Sequence, residues 1–352
     1  MAMNNSFQSA DDTVAIALSP RVLRGLFVDL LARPPFEDER AAWTGRSIEE
    51  LVDDLLGRQE FWEEWLQAQL YYFLLVDNFR PESDSVKRLP AELRMGKLGV
   101  RAVLSRIALS TSFDRRNPGA DTFVTVVMEQ MLGVDVQKNV RQLEIGKRVY
   151  EGSKGKFLGQ SGSTQSDVVR IAIEDERCLL RFVEREYKRF VQSNLSSGQV
   201  RELAQRLIED DRCYAQLLRE WLLSEEYAKS FEQRVELPSR VFARSLHVDL
   251  FNKLPDQDEV RRVRSALDGL GDAGPLRSAL VRILLDSGKV DLPQRKAIPN
   301  RAQWIGDQFL RFYGRPPSES ELQTFVDTFR DPACRPETVV YALLTHSEYA
   351  SR

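Results

Sequence analysis

The chain has 352 residues, of which 42% are apolar and 29% charged, with 15 prolines and 19 glycines. That length exceeds the size at which one hydrophobic core usually keeps growing, so several cores or an array of small ones are expected, and the composition argues against long disorder. The 50 Lys and Arg stand against 53 Asp and Glu for a net charge of −3, which leaves no basic excess for neutralising phosphates and argues against general nucleic-acid binding.

Taken in chain order, the N-terminal residues MAMNNSFQSADD lack the basic and apolar regions of an export signal. Residues 1–19 read as an arm. From Arg21 the apolar residues Val22, Leu23, Leu26, Phe27, Leu30 and Leu31 recur at helical spacing up to Arg33-Pro34-Pro35, where proline stops the helix. Glu37-Asp38-Glu39 opens a second helix carrying Trp43. Ser47 caps a third, with Ile48, Leu51, Val52, Leu55 and Leu56 on its inner face, and that helix runs into Phe61 and Trp62. This defines a first helical module over residues 20–66.

Residues 67–178 read as a helical insert. Glu60 to Phe79 predicts a dense aromatic helix, ended by Arg80-Pro81, that is either a central core element or a surface for a partner. Its most apolar run, Leu70 to Val76, is far short of the roughly 20 residues needed to span a bilayer. Further helices are expected at Val100 to Ser110 and Asp121 to Leu132, the latter stopped by Gly133. Tyr150 to Asp167 is glycine-rich, with Lys154 and Lys156 among Gly152, Gly155, Gly159 and Gly162. The order fits neither a Walker A loop nor a nucleophile elbow, so it reads as an interaction or structural loop with Ser163 or Ser166 capping the next helix.

The order of the first module then returns three times. Residues 179–237 form a worn second module that closes on Leu222-Leu223-Ser224-Glu225-Glu226-Tyr227. Residues 238–299 form a third, in which Val248-Asp249-Leu250 matches Val28-Asp29-Leu30 and the third helix runs through Leu280, Ile283, Leu284 and Leu285. Residues 300–352 form a fourth, with Arg315-Pro316-Pro317, Pro336 and a closing Tyr349. Three short helices bury too little surface to be robust alone, so neighbouring modules should pack on one another. The expected fold is all-α: tandem small helical-bundle modules with a helical insert and little or no β structure.

Cys178, Cys213 and Cys334 lie far from disulfide or zinc spacing, which points to reduced thiols in a cytoplasm. His247 and His346 stand in repeat positions where sister copies carry other residues, so neither a histidine triad nor a His-Cys metal site is expected. The acidic pairs Asp53-Asp54, Glu63-Glu64, Asp210-Asp211 and Glu225-Glu226 are expected on solvated helix faces. No catalytic residue, cofactor or metal site is expected.

The run Phe312-Tyr313-Gly314-Arg315-Pro316-Pro317, then Ser320-Glu321-Leu322 and Leu343-Leu344-Thr345-His346-Ser347-Glu348-Tyr349, resembles the helical repeat of phycobilisome-linker-type domains and related bacterial modules of unknown function. The likeness is best over residues 301–352. It implies a protein that organises other proteins, further copies of itself being one candidate, in a larger assembly, and together with the lack of a catalytic constellation it leads to the expectation of a non-enzymatic scaffold, linker or adaptor. Candidate partner-binding residues are Trp62, Trp65, Tyr71, Tyr72, Phe73 and Phe79 of the aromatic helix and Lys154, Lys156 and Phe157 of the glycine-rich loop. The alternative is a ligand- or nucleotide-binding enzyme subunit with its site in the loop 150–167, around Lys154, Lys156, Ser161 and Ser163. A third reading has the aromatic helix binding lipid headgroups.

Overall fold

The computed structural model describes residues 18–76, 80–81 and 83–351. Its first helix, α1 (Pro20–Leu31), starts where Ser19 Oγ accepts the Val22 amide and stops at Ala32, which turns into the left-handed region at φ 53°. α2 (Glu37–Trp43) and α3 (Ile48–Gly57) follow, the latter capped by Ser47, which accepts from the Glu50 amide. α4 (Gln59–Leu74) is the aromatic helix, closed by Leu75 at φ 53°. It is shorter than the aromatic pattern suggests, because the left-handed residue ends it before Phe79, and Phe79 lies outside the described residues.

The insert continues as α5 (Asp84–Lys87), α6 (Leu89–Arg94), α7 (Val100–Ala108), α8 (Thr111–Arg116), α9 (Gly119–Val126) and α10 (Val140–Tyr150). α9 widens into a π turn over Val127–Met131 before Gly133 reverses the chain at φ 65°. The glycine-rich segment folds as a hairpin, β1 (Gly155–Phe157) against β2 (Gln160–Gly162). Leu158 and Gly159 both take positive φ, the requirement of a two-residue turn that matches strand twist. The sequence carried no alternating strand pattern here because one side chain, Phe157, is the only anchor driven fully inside. α11 (Gln165–Glu174) is capped by Thr164 rather than Ser163 or Ser166.

The second module is α12 (Glu176–Val191), α13 (Ser197–Glu209), α14 (Tyr214–Leu222) and α15 (Glu225–Ser230). The third is α16 (Ser239–Phe251), α17 (Gln257–Asp268) and α18 (Gly274–Asp286). The fourth is α19 (Arg301–Tyr313), α20 (Glu319–Thr328) and α21 (Pro336–Thr345). Among the described residues the protein is all-α apart from the hairpin and one isolated bridge, and no helix is long and apolar enough to cross a membrane.

Two buried clusters organise these elements. One runs from Leu23 to Phe231 and takes in the first module, the insert and the second module together; the other joins the third and fourth modules and recruits Val28 from α1. Within each cluster the third helices of two modules pack side by side, α3 on α14 and α18 on α21. The described helices thus gather around two cores, each joining a pair of the expected modules, with the insert built into the first. The pairs differ in cover: every apolar side chain of α3 is buried, whereas Ile283, one of the apolar residues that trace α18, is 63% exposed.

Two polar devices recur in these pairs. Arg33 donates to Glu39 and Glu60 and to the Pro34 carbonyl, while Glu39 also accepts the Phe36 amide at 2.9 Å. Arg315 repeats the pattern atom for atom with Glu321, Glu348 and the Pro316 carbonyl, and Glu321 accepts the Ser318 amide at 2.7 Å. The arginine therefore ties helix one, the start of helix two and the closing Glu-aromatic pair of the module into one knot. In the second device the closing tyrosine of one module donates to the helix-one aspartate of the module before it: Tyr227 to Asp29 and Tyr349 to Asp249, each at 2.8 Å.

Candidate binding groove between the halves

Helices α1 and α16 meet where the two module pairs join. Arg24 of α1 makes a bidentate pair with Asp249 of α16 at 2.7 and 3.0 Å, and Tyr349 completes a cluster in which the Asp249 side chain is fully buried. Burial lowers the pKa of Arg24, but the charge and hydrogen bond of Asp249, together with Tyr349, outweigh it and the guanidinium is held above its ordinary value. Burial, with the Asp249 charge, pushes the Tyr349 hydroxyl well above its usual range. Around this cluster, Gly314 presses on α1 so closely that a Cβ there would stand 2.6 Å from Arg21 Cα, and its own φ of +66° suits glycine. Arg240 and Arg244 of α16 reach the Glu64 carboxylate on α4. Glu64 and Asp211, expected in water, are thus engaged instead: Glu64 by this pair, and Asp211 by accepting the Arg101 amide at the start of α7 at 2.7 Å.

Beside these contacts, with Glu64 and Arg240 in its lining, the halves separate into a groove of about 1120 Å³. Its base is the end of α1 and the middle of α4, one wall is the last turns of α12, and the other is the segment 235–241 with the facing ends of α17 and α18. Tyr71 and Leu270, 43% and 48% exposed, stand on opposite elements of its rim. Arg264 links to Tyr71, lying 5.1 Å from the ring centroid and 3.3 Å from the hydroxyl.

The charges in the groove divide by wall. Three arginines on the far side are each matched to a carboxylate: Arg240 to Glu64, Arg264 to Asp268 and Arg277 to Glu236. The α12 wall presents Arg185, Lys188 and Arg189, of which Arg185 donates to Glu186 at 3.4 Å and to the Gln69 side-chain carbonyl. Beneath them lies Glu186, 1% exposed, which accepts from Trp65 Nε1 at 2.9 Å, Tyr214 Oη at 2.8 Å and Gln69 Nε2 at 3.0 Å. Burial favours its neutral form, but the charges of Arg189 and Arg185 and these hydrogen bonds prevail and hold the carboxyl below its ordinary value. Burial and the Glu186 charge push Tyr214 well above the phenol range. Arg189 Nη1 stays 3.7 Å from Glu186 without a hydrogen bond, and Lys188 is exposed and has no ion-pair partner among the described residues.

The residues singled out by sequence fall in several places. Tyr71 is on the groove rim. Tyr72 is half-buried, donating to the Gln130 carbonyl at 3.1 Å beneath Arg185. Trp62, Trp65 and Phe73 are interior, at 3%, 0% and 2% exposure, and Phe157 is sealed between helices at 0%. Lys154 and Lys156 are exposed on the hairpin and do not line the groove. Around them the loop's backbone is already committed: the Leu158 amide donates to Gln142 and the Ser163 amide to Asp167, whose carboxylate occupies the start of α11. His247 is buried, 3.2 Å from Glu259, and His346 is exposed. Among the described residues no group of three or more His, Cys, Asp or Glu is arranged to hold a metal ion. The sequence pattern passed over Lys188, Arg189 and Arg24 and marked Asp249 only as a repeat position, because single charges on an amphipathic helix carry no spacing signature.

Compared with protein-family models, curated proteins and solved structures, the chain has no match.

Proposed function

We propose that the chain is a non-enzymatic scaffold or adaptor that holds a segment of another protein in the groove between its two module pairs and so helps organise a larger assembly. One observation supports this reading: the groove is large, open and built from both halves, with apolar side chains on its rim and one wall on which Arg185, Lys188 and Arg189 outnumber the single buried carboxylate, Glu186, that pairs with the two arginines. With Cys178, Cys213 and Cys334 all free thiols, a reducing cytoplasm is the proposed setting.

The test is selection from a displayed library of random peptides on the wild-type protein and on Ala68→Trp, which places an indole in the groove. The reading requires peptides that bind the wild type and are lost on the filled variant. If no peptide is enriched, or if every enriched peptide binds both proteins equally, the groove is not a docking site.

A further inference from the structure

We infer that the occupant of this groove is a single amphipathic helix of a partner protein, with apolar side chains set between Tyr71 and Leu270 and carboxylates facing the α12 wall. The inference rests on the docking reading above and names the partner's chemistry. Three observations lead to it.

The first is charge. On the far side each acid is answered by its own arginine, so those pairs contribute little net field. On the α12 wall three cations stand over one buried carboxylate, Glu186, which Arg185 and Arg189 approach at 3.4 and 3.7 Å; one carboxylate does not balance three cations, and Lys188 has no ion-pair partner among the described residues. A partner bearing acids on that side gains complementary charge, and one bearing lysines there meets like charge.

The second is size. A helix about 10 Å across displaces roughly 1,200 Å³ over ten residues, which is comparable with the groove's 1120 Å³.

The third is backbone supply. An extended peptide that adds to a sheet needs a free strand edge. The one extended element in the wall, around Glu236 and Leu237, is already paired to Ser351 and Ala350. A helix satisfies its own backbone and needs only side-chain contacts, with anchors at i, i+3, i+4 and i+7.

The peptides recovered by the selection above, made at about 16 residues so that helix can form, are measured by fluorescence anisotropy and circular dichroism. Groove-dependent binders should be acidic along one helical face and gain helical signal on binding. They should lose about tenfold in affinity on Lys188→Glu and weaken steadily as salt rises. The salt titration uses wild-type protein, so it stands even if the variant folds poorly. Groove-dependent binders that are basic, that bind without helical signal, or that ignore both Lys188→Glu and salt overturn this inference while leaving the docking reading intact. Absence of any groove-dependent binder overturns both. A concentration-dependent dimer of the wild type that Ala68→Trp abolishes would make the occupant a second copy and also overturn it.

Discussion

Removal of Arg24 is the sharpest test of how the two halves are held. In Arg24→Ala the Asp249 carboxylate keeps the Tyr349 hydroxyl but loses both guanidinium contacts, at 2.7 and 3.0 Å, in a site where its side chain has no solvent exposure. A buried charge left without its partner costs about 3–5 kcal/mol. At about 2–4 °C per kcal/mol, that corresponds to a fall in Tm of the order of 10 °C. Tyr349→Phe removes a single donor from the same carboxylate and should cost less, about 1–3 kcal/mol. Replacing both charges, in Arg24→Met with Asp249→Leu, removes the unpaired group and should recover much of the loss. Urea unfolding followed by circular dichroism, arranged as a double-mutant cycle, reads these values. A loss below about 1 kcal/mol for Arg24→Ala, within the range of surface pairs, would refute the claim that this contact locks the halves.

Three further outcomes follow from the same geometry. Gly314→Ala forces a Cβ against the Arg21 backbone at a φ of +66°, so it should lower Tm by several degrees, whereas Gly306→Ala, with open space around it, should not. Stability should fall as pH drops from about 4.5 toward 2. The reason is that the Arg315 hydrogen bonds hold Glu321 down to about 2, and Glu39, Glu64, Glu186 and Glu348 also sit below the ordinary carboxylate value in the folded state. Depressed carboxyls lend stability that is fully present above the unfolded pKa and is lost on protonation. Urea midpoints from pH 6 to 2 should show this, and Glu321→Gln should flatten the slope. Burial pushes the Cys178 thiol up to about 12, so a thiol reagent at neutral pH should label half-exposed Cys213 first and Cys178 only on opening of the first core; prompt labelling of Cys178 in native protein would contradict that packing.

Much of the fold was legible because helical periodicity and the repeated punctuation are local signals. The Ser47 cap, the stop before Pro34, the turn at Gly133 and Pro336 at the start of α21 all stand where the sequence put them. What escaped was long-range. The repeat was traced through its prolines, yet the residue that organises the turn is the arginine before them: Arg33 and Arg315 each face a glutamate six residues on and the glutamate of the closing Glu-aromatic pair. That glutamate-aromatic spacing was visible, but its meaning lies in a contact between helix ends. The Tyr-Asp contacts were likewise present as two aligned pairs of residues without any sign that each tyrosine reaches the preceding module. The groove was least legible of all, since it exists only through the relative placement of α1, α4, α12 and α16–α18. The aromatic helix drew attention to rings that the fold mostly buries, and among the described ones only Tyr71 reaches the groove rim.

The most direct measurement of the central claim is site-specific photo-crosslinking in the native cell, with a photoreactive residue at Ala68 in the groove and, separately, at Lys156 on the exposed hairpin. The account predicts a discrete protein adduct from position 68 that position 156 does not give. Adducts from position 156 alone, or the same set from both, would place partner contact outside the groove and contradict it.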